Sequence, residues 1–170
     1  MDKAKSYKEL LHEITTFIFD VDGVLTNGDI QISENGELLR TMNVKDGFAL
    51  KTAVKKGFST CIISAGTNKG VQSRLETLGI QTVYLNAQDK LSIYKDYIKV
   101  NGLKPEEVLY VGDDIMDINV MTQVGLACCP QDAVAEVKAI SHYISHKKGG
   151  KGCVREIIEQ VLKVQNKWTF

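Results

Sequence analysis

Phe17-Ile18-Phe19-Asp20-Val21-Asp22-Gly23-Val24-Leu25-Thr26 decides the reading of this chain. A short apolar run rich in Phe and Ile predicts a buried central strand. It ends in two carboxylates spaced by two residues, then a glycine that lets the backbone turn away sharply. In open parallel α/β sheets, ligands bind at the carboxyl edge of the strands. Asp20 and Asp22 are therefore candidates for chemistry, although two acids after a strand also suit an ordinary loop.

Working outward, strand-like and helix-like segments alternate. Residues 6–13 predict a short leading helix. Residues 30–33 and 37–43, separated by Glu34-Asn35-Gly36, predict a β-hairpin inserted before the first main helix. The insertion, about twenty residues, is too short for a separate lid domain. Further strands are expected at residues 59–63, 82–85, 108–111, 125–128 and 143–144. Helices are expected at residues 46–56, 68–78, 90–100, 115–123, 134–139 and 154–164. Asp89 and Asp132 are candidate N-caps, and residues 149–152, Gly-Gly-Lys-Gly, read as a flexible hinge. The alternation implies a doubly wound parallel α/β sheet, Rossmann-like, with helices on both faces. A single domain over residues 1–170 is expected, with a hairpin flap at about residues 28–42.

Composition narrows the function classes. The chain has 170 residues, 44% hydrophobic and 25% charged, with 21 Lys+Arg against 21 Asp+Glu. Zero formal net charge argues against broad nucleic-acid or anionic-membrane binding. No stretch approaches 18 apolar residues, and residues 1–11 lack a signal-peptide core, so a cytoplasmic location is the expectation. Cys61, Cys128, Cys129 and Cys153 lack metal or disulfide spacing and read as reduced structural thiols. His12, His142 and His146 fall outside the motifs and read as solvated or structural. Trp168 and Phe170 suit either a subunit contact or a frayed end.

The strand ends can converge. They carry Asp20 and Asp22, then Ser64, then a loop to Lys90, then Asp113 and Asp114, with Asp117 in the following helix. Several carboxylates in one place repel one another unless a cation sits among them. Oxygen ligands without a histidine cluster favour Mg²⁺. Asp20 can attack phosphorus to form an aspartyl-phosphate. Asp22 can protonate the leaving oxygen and then activate water. Lys90 and Ser64 complement a phosphoryl group.

Together these residues resemble the four motifs of the haloacid dehalogenase-like phosphatases. The resemblance implies Asp20 as nucleophile and metal ligand, and Asp22 as acid/base and ligand through its carbonyl. It also implies Asp113 as a metal ligand, with Asp114 and Asp117 nearby. The hairpin, Asn43-Val44-Lys45-Asp46-Gly47 and the tail at residues 149–156 resemble more narrowly the capless 3-deoxy-D-manno-octulosonate 8-phosphate phosphatases. That family implies a homotetramer whose neighbouring subunits close each site. It also implies substrate contacts at Asp22, Asn43, Val44, Lys45, Asp46, Gly47, Lys51, Arg74 and Lys90. The substrate would be a small sugar-acid phosphate in lipopolysaccharide biosynthesis.

The family pattern Thr/Ser-Gly-Arg reads Ser64-Ala65-Gly66 here, which leaves the nine-carbon ketodeoxynononate 9-phosphate open as an alternative. Arg74 is a candidate stand-in for the absent arginine, as a fork for a carboxylate. A receiver-like phospho-signalling module also uses clustered aspartates, but its phosphorylated residue follows a later strand. A catalytically idle module is disfavoured by retention of every acid. A phosphomutase would need a mobile cap that the insert is too short to form.

Overall fold

The computed structural model describes residues 6–170. Part of the stretch read for a signal-peptide core, residues 1–5, lies outside them. A six-stranded parallel sheet forms the centre of the fold. Its central strand β1 (Thr16–Phe19) is buried at every position, because helices cover both faces. β4 (Ser59–Ile63) pairs with it on one side and β6 (Val108–Val111) on the other. β5 (Thr82–Tyr84) extends the first side; β7 (Leu126–Cys129) and β8 (Tyr143–Ile144) extend the second. The chain winds outward from β1 through β4 to β5, then crosses back to β6. β1 and β6 thus flank a topological switch point, where a crevice opens at the carboxyl ends.

Two cores clamp the sheet. On one face lie α2 (Val44–Lys55), α3 (Lys69–Thr77) and α7 (Cys153–Val164), with Leu50, Leu75 and Ile158 fully buried. On the other lie α4 (Lys90–Val100), α5 (Ile118–Met121) and α6 (Ala135–Ile140), around Tyr94, Val120 and Val137. α7 buries Val154, Ile157, Ile158, Val161 and Leu162, the spacing of one helix face. Asn68 and Asp89 cap α3 and α4 by accepting bonds from Val71 N and Ser92 N.

Several expected elements are altered. The leading helix α1 contracts to Tyr7–Leu10. The hairpin is antiparallel as expected, but its ladder is only β2 (Gln31–Ile32) against β3 (Leu38–Leu39). The second strand stops at Leu39, and Arg40 just beyond it turns its side chain to Asp22. α2 starts two residues earlier than expected, at Val44, with Asn43 as its N-cap. The helix expected at residues 115–123 begins as a 3₁₀ turn, Ile115–Asp117, and continues only as the short α5. Asp132 does not cap α6; its Oδ1 accepts from Gly149 N at 2.9 Å.

The Gly-Gly-Lys-Gly segment is likewise packed rather than a free hinge. A Cβ on Gly149 would lie 1.8 Å from Gly23 O, and Gly150 N donates to Val24 O. The glycines let the approach to α7 brace the turn that follows Asp22. All four cysteines are buried and free. His142 is structural, its Nδ1 accepting from Ala127 N at 3.0 Å. Trp168 packs within its own chain, edge-on to Phe48 and under the Arg155 guanidinium. Among the described residues, no helix is long and apolar enough to cross a membrane.

Candidate active site

The crevice between β1 and β6 is lined by Asp20, Asp22, Ser64, Lys90, Asp113, Asp114 and Asp117, with Ala65, Gly66 and Met116. Every residue of the expected catalytic and metal set therefore meets in one place, from four strand ends. Asp20 follows β1 directly, 7% exposed, with its N–H donating to Val111 O of β6. The turn after Asp22 is closed by N–H donors from Val24, Leu25 and Thr26, all to Val21 O. Gly23 has φ +86°, and a Cβ there would sit 1.9 Å from Asp113 Oδ2. Only a glycine lets the two acidic loops approach so closely.

Lys90 opens α4, 4% exposed, with Nζ 3.1 Å from Asp20 Oδ1 and 2.8 Å from Asp117 Oδ1. Burial alone would lower its pKa; Asp20 and Asp117 overcome this and hold it above the usual lysine range. Asp117 is wholly buried and its oxygens are committed. Oδ1 accepts from Lys90 and from the Tyr110 hydroxyl at 2.7 Å; Oδ2 accepts from Asp113 N and Asp114 N. Asp114 is exposed and caps the 3₁₀ turn through Ile115 N. Both therefore hold the β6 loop in shape. Ser64, 2% exposed, accepts from Gly66 N at 3.1 Å, and its hydroxyl proton makes no bond among the described residues.

The remaining carboxylates fit a divalent cation. Oxygens of Asp20, Asp113 and Asp117 lie within 4.8 Å of one another. Asp113 Oδ1 is buried and has no hydrogen-bond partner among the described residues. Burial, then repulsion from Asp117, pushes Asp20 up to about 7, despite the opposing Lys90 charge. Burial, then Asp20, Asp117 and Asp114, pushes Asp113 up to about 8. Such acids resist ionising at neutral pH unless positive charge joins them. With Asp117 committed elsewhere, Asp20 and Asp113 are the carboxylates left to hold the ion.

The substrate contacts implied by resemblance are mostly not brought to this crevice. Asn43 Oδ1 accepts from Lys45 N, and its Nδ2 donates to Gly150 O. Val44 is 75% exposed, and Lys51 is exposed on α2. Lys45 lines a separate groove with Lys147, Lys151 and Arg155. Asp46 points inward, accepting from Gly152 N and Arg155 N at the start of α7. Gly47 makes room for Arg74, whose Nη2 would be 2.9 Å from a Cβ there. Arg74 lines a neighbouring groove with Leu39, Arg40, Met42 and Asn68.

Three site residues were not found from sequence. Tyr110 anchors Asp117 from inside β6, where an apolar strand pattern hides it. Met116 lies at the mouth, 49% exposed. Arg40 comes from the hairpin and forks Asp22, Nε to Oδ1 at 2.7 Å and Nη2 to Oδ2 at 3.0 Å. No spacing rule points to it; only the folded position of the hairpin does.

Comparison with known proteins agrees with this geometry. A family model described as haloacid dehalogenase-like hydrolase matches residues 83–157. The chain is 37% identical over 154 residues to 3-deoxy-D-manno-octulosonate 8-phosphate phosphatase of Yersinia pestis, spanning 91% of this chain and 82% of that protein. The crystal structure of the Yersinia pestis phosphatase matches with a TM-score of 0.92 at 36% identity, covering 94% of this chain and 86% of that one. The Moraxella catarrhalis phosphatase, crystallised with magnesium, phosphate and KDO, matches with a TM-score of 0.92 at 30% identity, covering 95% and 92%.

Proposed function

Because the chain belongs to the haloacid dehalogenase-like family of 3-deoxy-D-manno-octulosonate 8-phosphate phosphatases, we propose that it hydrolyses that sugar-acid phosphate to the free sugar acid and inorganic phosphate. The observation that carries the reading is the close approach of Asp20 and Asp113 in one crevice, with Lys90 ion-paired to Asp20 and with Asp22 and Ser64 beside them. An Asp20 oxygen attacks phosphorus as the ester P–O bond breaks. Asp22 gives its proton to the leaving oxygen. Asp22 then takes a proton from water, whose oxygen attacks the acyl-phosphate and frees Asp20 and phosphate. Lys90 neutralises charge beside Asp20, and the Ser64 hydroxyl is free to donate to a phosphoryl oxygen. Asp20, Asp113 and the Asp22 carbonyl would hold Mg²⁺. That ion supplies the positive charge that keeps both carboxylates ionised beside a phosphate.

Assembly and location belong to the same proposal. The hairpin exposes Ile30, Ile32, Leu38 and Leu39, and α2 begins with exposed Val44. A two-stranded hairpin is marginal alone, so a second copy covering it, in a homotetramer, suits these surfaces. The same contact would bring Asn43, Val44, Lys45, Lys51 and Arg74 toward a neighbour's crevice. A cytoplasmic location fits the same reading, because a charged sugar-acid phosphate does not cross a membrane unaided and its hydrolase has to share its compartment. A panel of phosphorylated sugars and eight- and nine-carbon sugar acids, ranked by kcat/KM with Mg²⁺ and with chelator, tests the reading. Preference for a neutral hexose phosphate, or full activity without metal, would overturn it.

A further inference from the structure

We propose that Arg40 is a positioning residue that aims the Asp22 carboxyl for proton transfer and so ties the hairpin to the chemistry. The inference rests on the reading of Asp22 as acid/base. Among the described residues the Asp22 carboxylate accepts one other side-chain hydrogen bond, from Thr26 Oγ1 at 3.5 Å, at the limit of such a bond. Its orientation is therefore set by the two parallel bonds from Arg40. Arg40 is itself braced. Its side chain is only 6% exposed, against 32% for Asp22. Its Nη1 donates to Leu38 O at 3.1 Å, and the same carbonyl accepts from Asn68 Nδ2 at 2.6 Å. Asn68 also caps α3. A rigid helix start thus holds β3, β3 holds the guanidinium, and the guanidinium holds Asp22.

The neighbouring loop leaves room for this arrangement. A Cβ on Gly66 would stand 3.4 Å from Asp22 Oδ2 and 3.6 Å from Arg40 Nη2. A larger side chain there would compete with the guanidinium for the same space. In the reaction, a protonated Asp22 keeps one oxygen on Arg40 while the other carries the proton toward the ester oxygen. Once that proton has left, both oxygens return to the fork. Arg40 touches neither phosphorus nor the attacking oxygen; it acts through Asp22.

Leaving-group dependence tests this in the full-length enzyme. An alkyl phosphate such as the sugar-acid phosphate needs a proton on its departing oxygen; p-nitrophenyl phosphate does not. Arg40→Ala should lower kcat on the alkyl ester by on the order of 10- to 100-fold, part of the usual acid/base contribution. The loss on p-nitrophenyl phosphate should be at least about tenfold smaller, and KM should move little. Arg40→Lys, with one arm of the fork, should recover part of the lost kcat. Equal losses on both substrates, an effect on KM alone, or no loss would each overturn the proposal. If wild type ignores the sugar-acid phosphate, the functional reading fails instead, and the Arg40 comparison is read with any alkyl phosphate it does hydrolyse.

Discussion

Replacing Asp46 separates a structural role from the substrate contact that resemblance implies for it. Asp46 is 1% exposed, and burial raises its pKa despite bonds from Arg155 N and Gly152 N. Those donors stand at the start of α7, where Gly152 offers no capping side chain. A carboxylate from α2 therefore caps α7 across the helix interface. Each charge-assisted bond contributes about 1.5–3 kcal/mol, and Asp46→Ala leaves two donors without partners. Removing a buried charge offsets part of that loss, so the net cost should be about 3 kcal/mol. At this chain length, each kcal/mol shifts the thermal midpoint by about 2–4 °C, giving a fall of roughly 6–12 °C. Asp46→Asn keeps one acceptor and should lose about half as much. Thermal melts by circular dichroism, paired with steady-state kinetics well below the midpoint, read both effects. An unchanged midpoint with a raised KM would refute the capping argument and make Asp46 a substrate contact.

Asp20→Asn should abolish turnover, because a neutral amide does not attack phosphorus, and Asp22→Asn should cost about 10²–10⁴-fold in kcat on alkyl phosphates; phosphate release checks both. Asp20 and Asp113 have folded pKa values raised to about 7 and about 8 from an unfolded 3.8. The folded metal-free protein then binds more protons than the unfolded chain between those limits, so stability is full below about pH 4 and is lost as pH rises through about 7–8. Melts in chelator should show that fall and melts in Mg²⁺ should largely remove it; a rise with pH in chelator would contradict the assignment. Deleting residues 32–39 should weaken assembly by light scattering and raise KM for the sugar phosphate, whereas an intact wild-type monomer with full activity would oppose the tetramer.

The sequence alone determined the central strand, the alternating order of elements and the acids that meet in the candidate site. A fully buried strand needs an uninterrupted apolar run, and Phe17-Ile18-Phe19 supplies it. Acids directly after such a strand cannot stand anywhere but the sheet edge. Asp20, Asp22, Ser64, Lys90 and Asp113 each sit at or near such an end, so local pattern located them. The tertiary structure alone decided which polar groups spend their bonds on one another. Arg40 reaches Asp22 across 18 residues, and Arg155 N reaches Asp46 across 109. Tyr110 reads locally as one more strand residue, yet its hydroxyl holds Asp117. The glycines at residues 149–150 read as a hinge, yet they seat against the loop beyond Asp22. Periodicity and turn chemistry act over a few neighbours along the chain. Whether a buried carboxylate meets a metal, a lysine or a helix terminus depends on which elements pack together, and that choice is made in three dimensions.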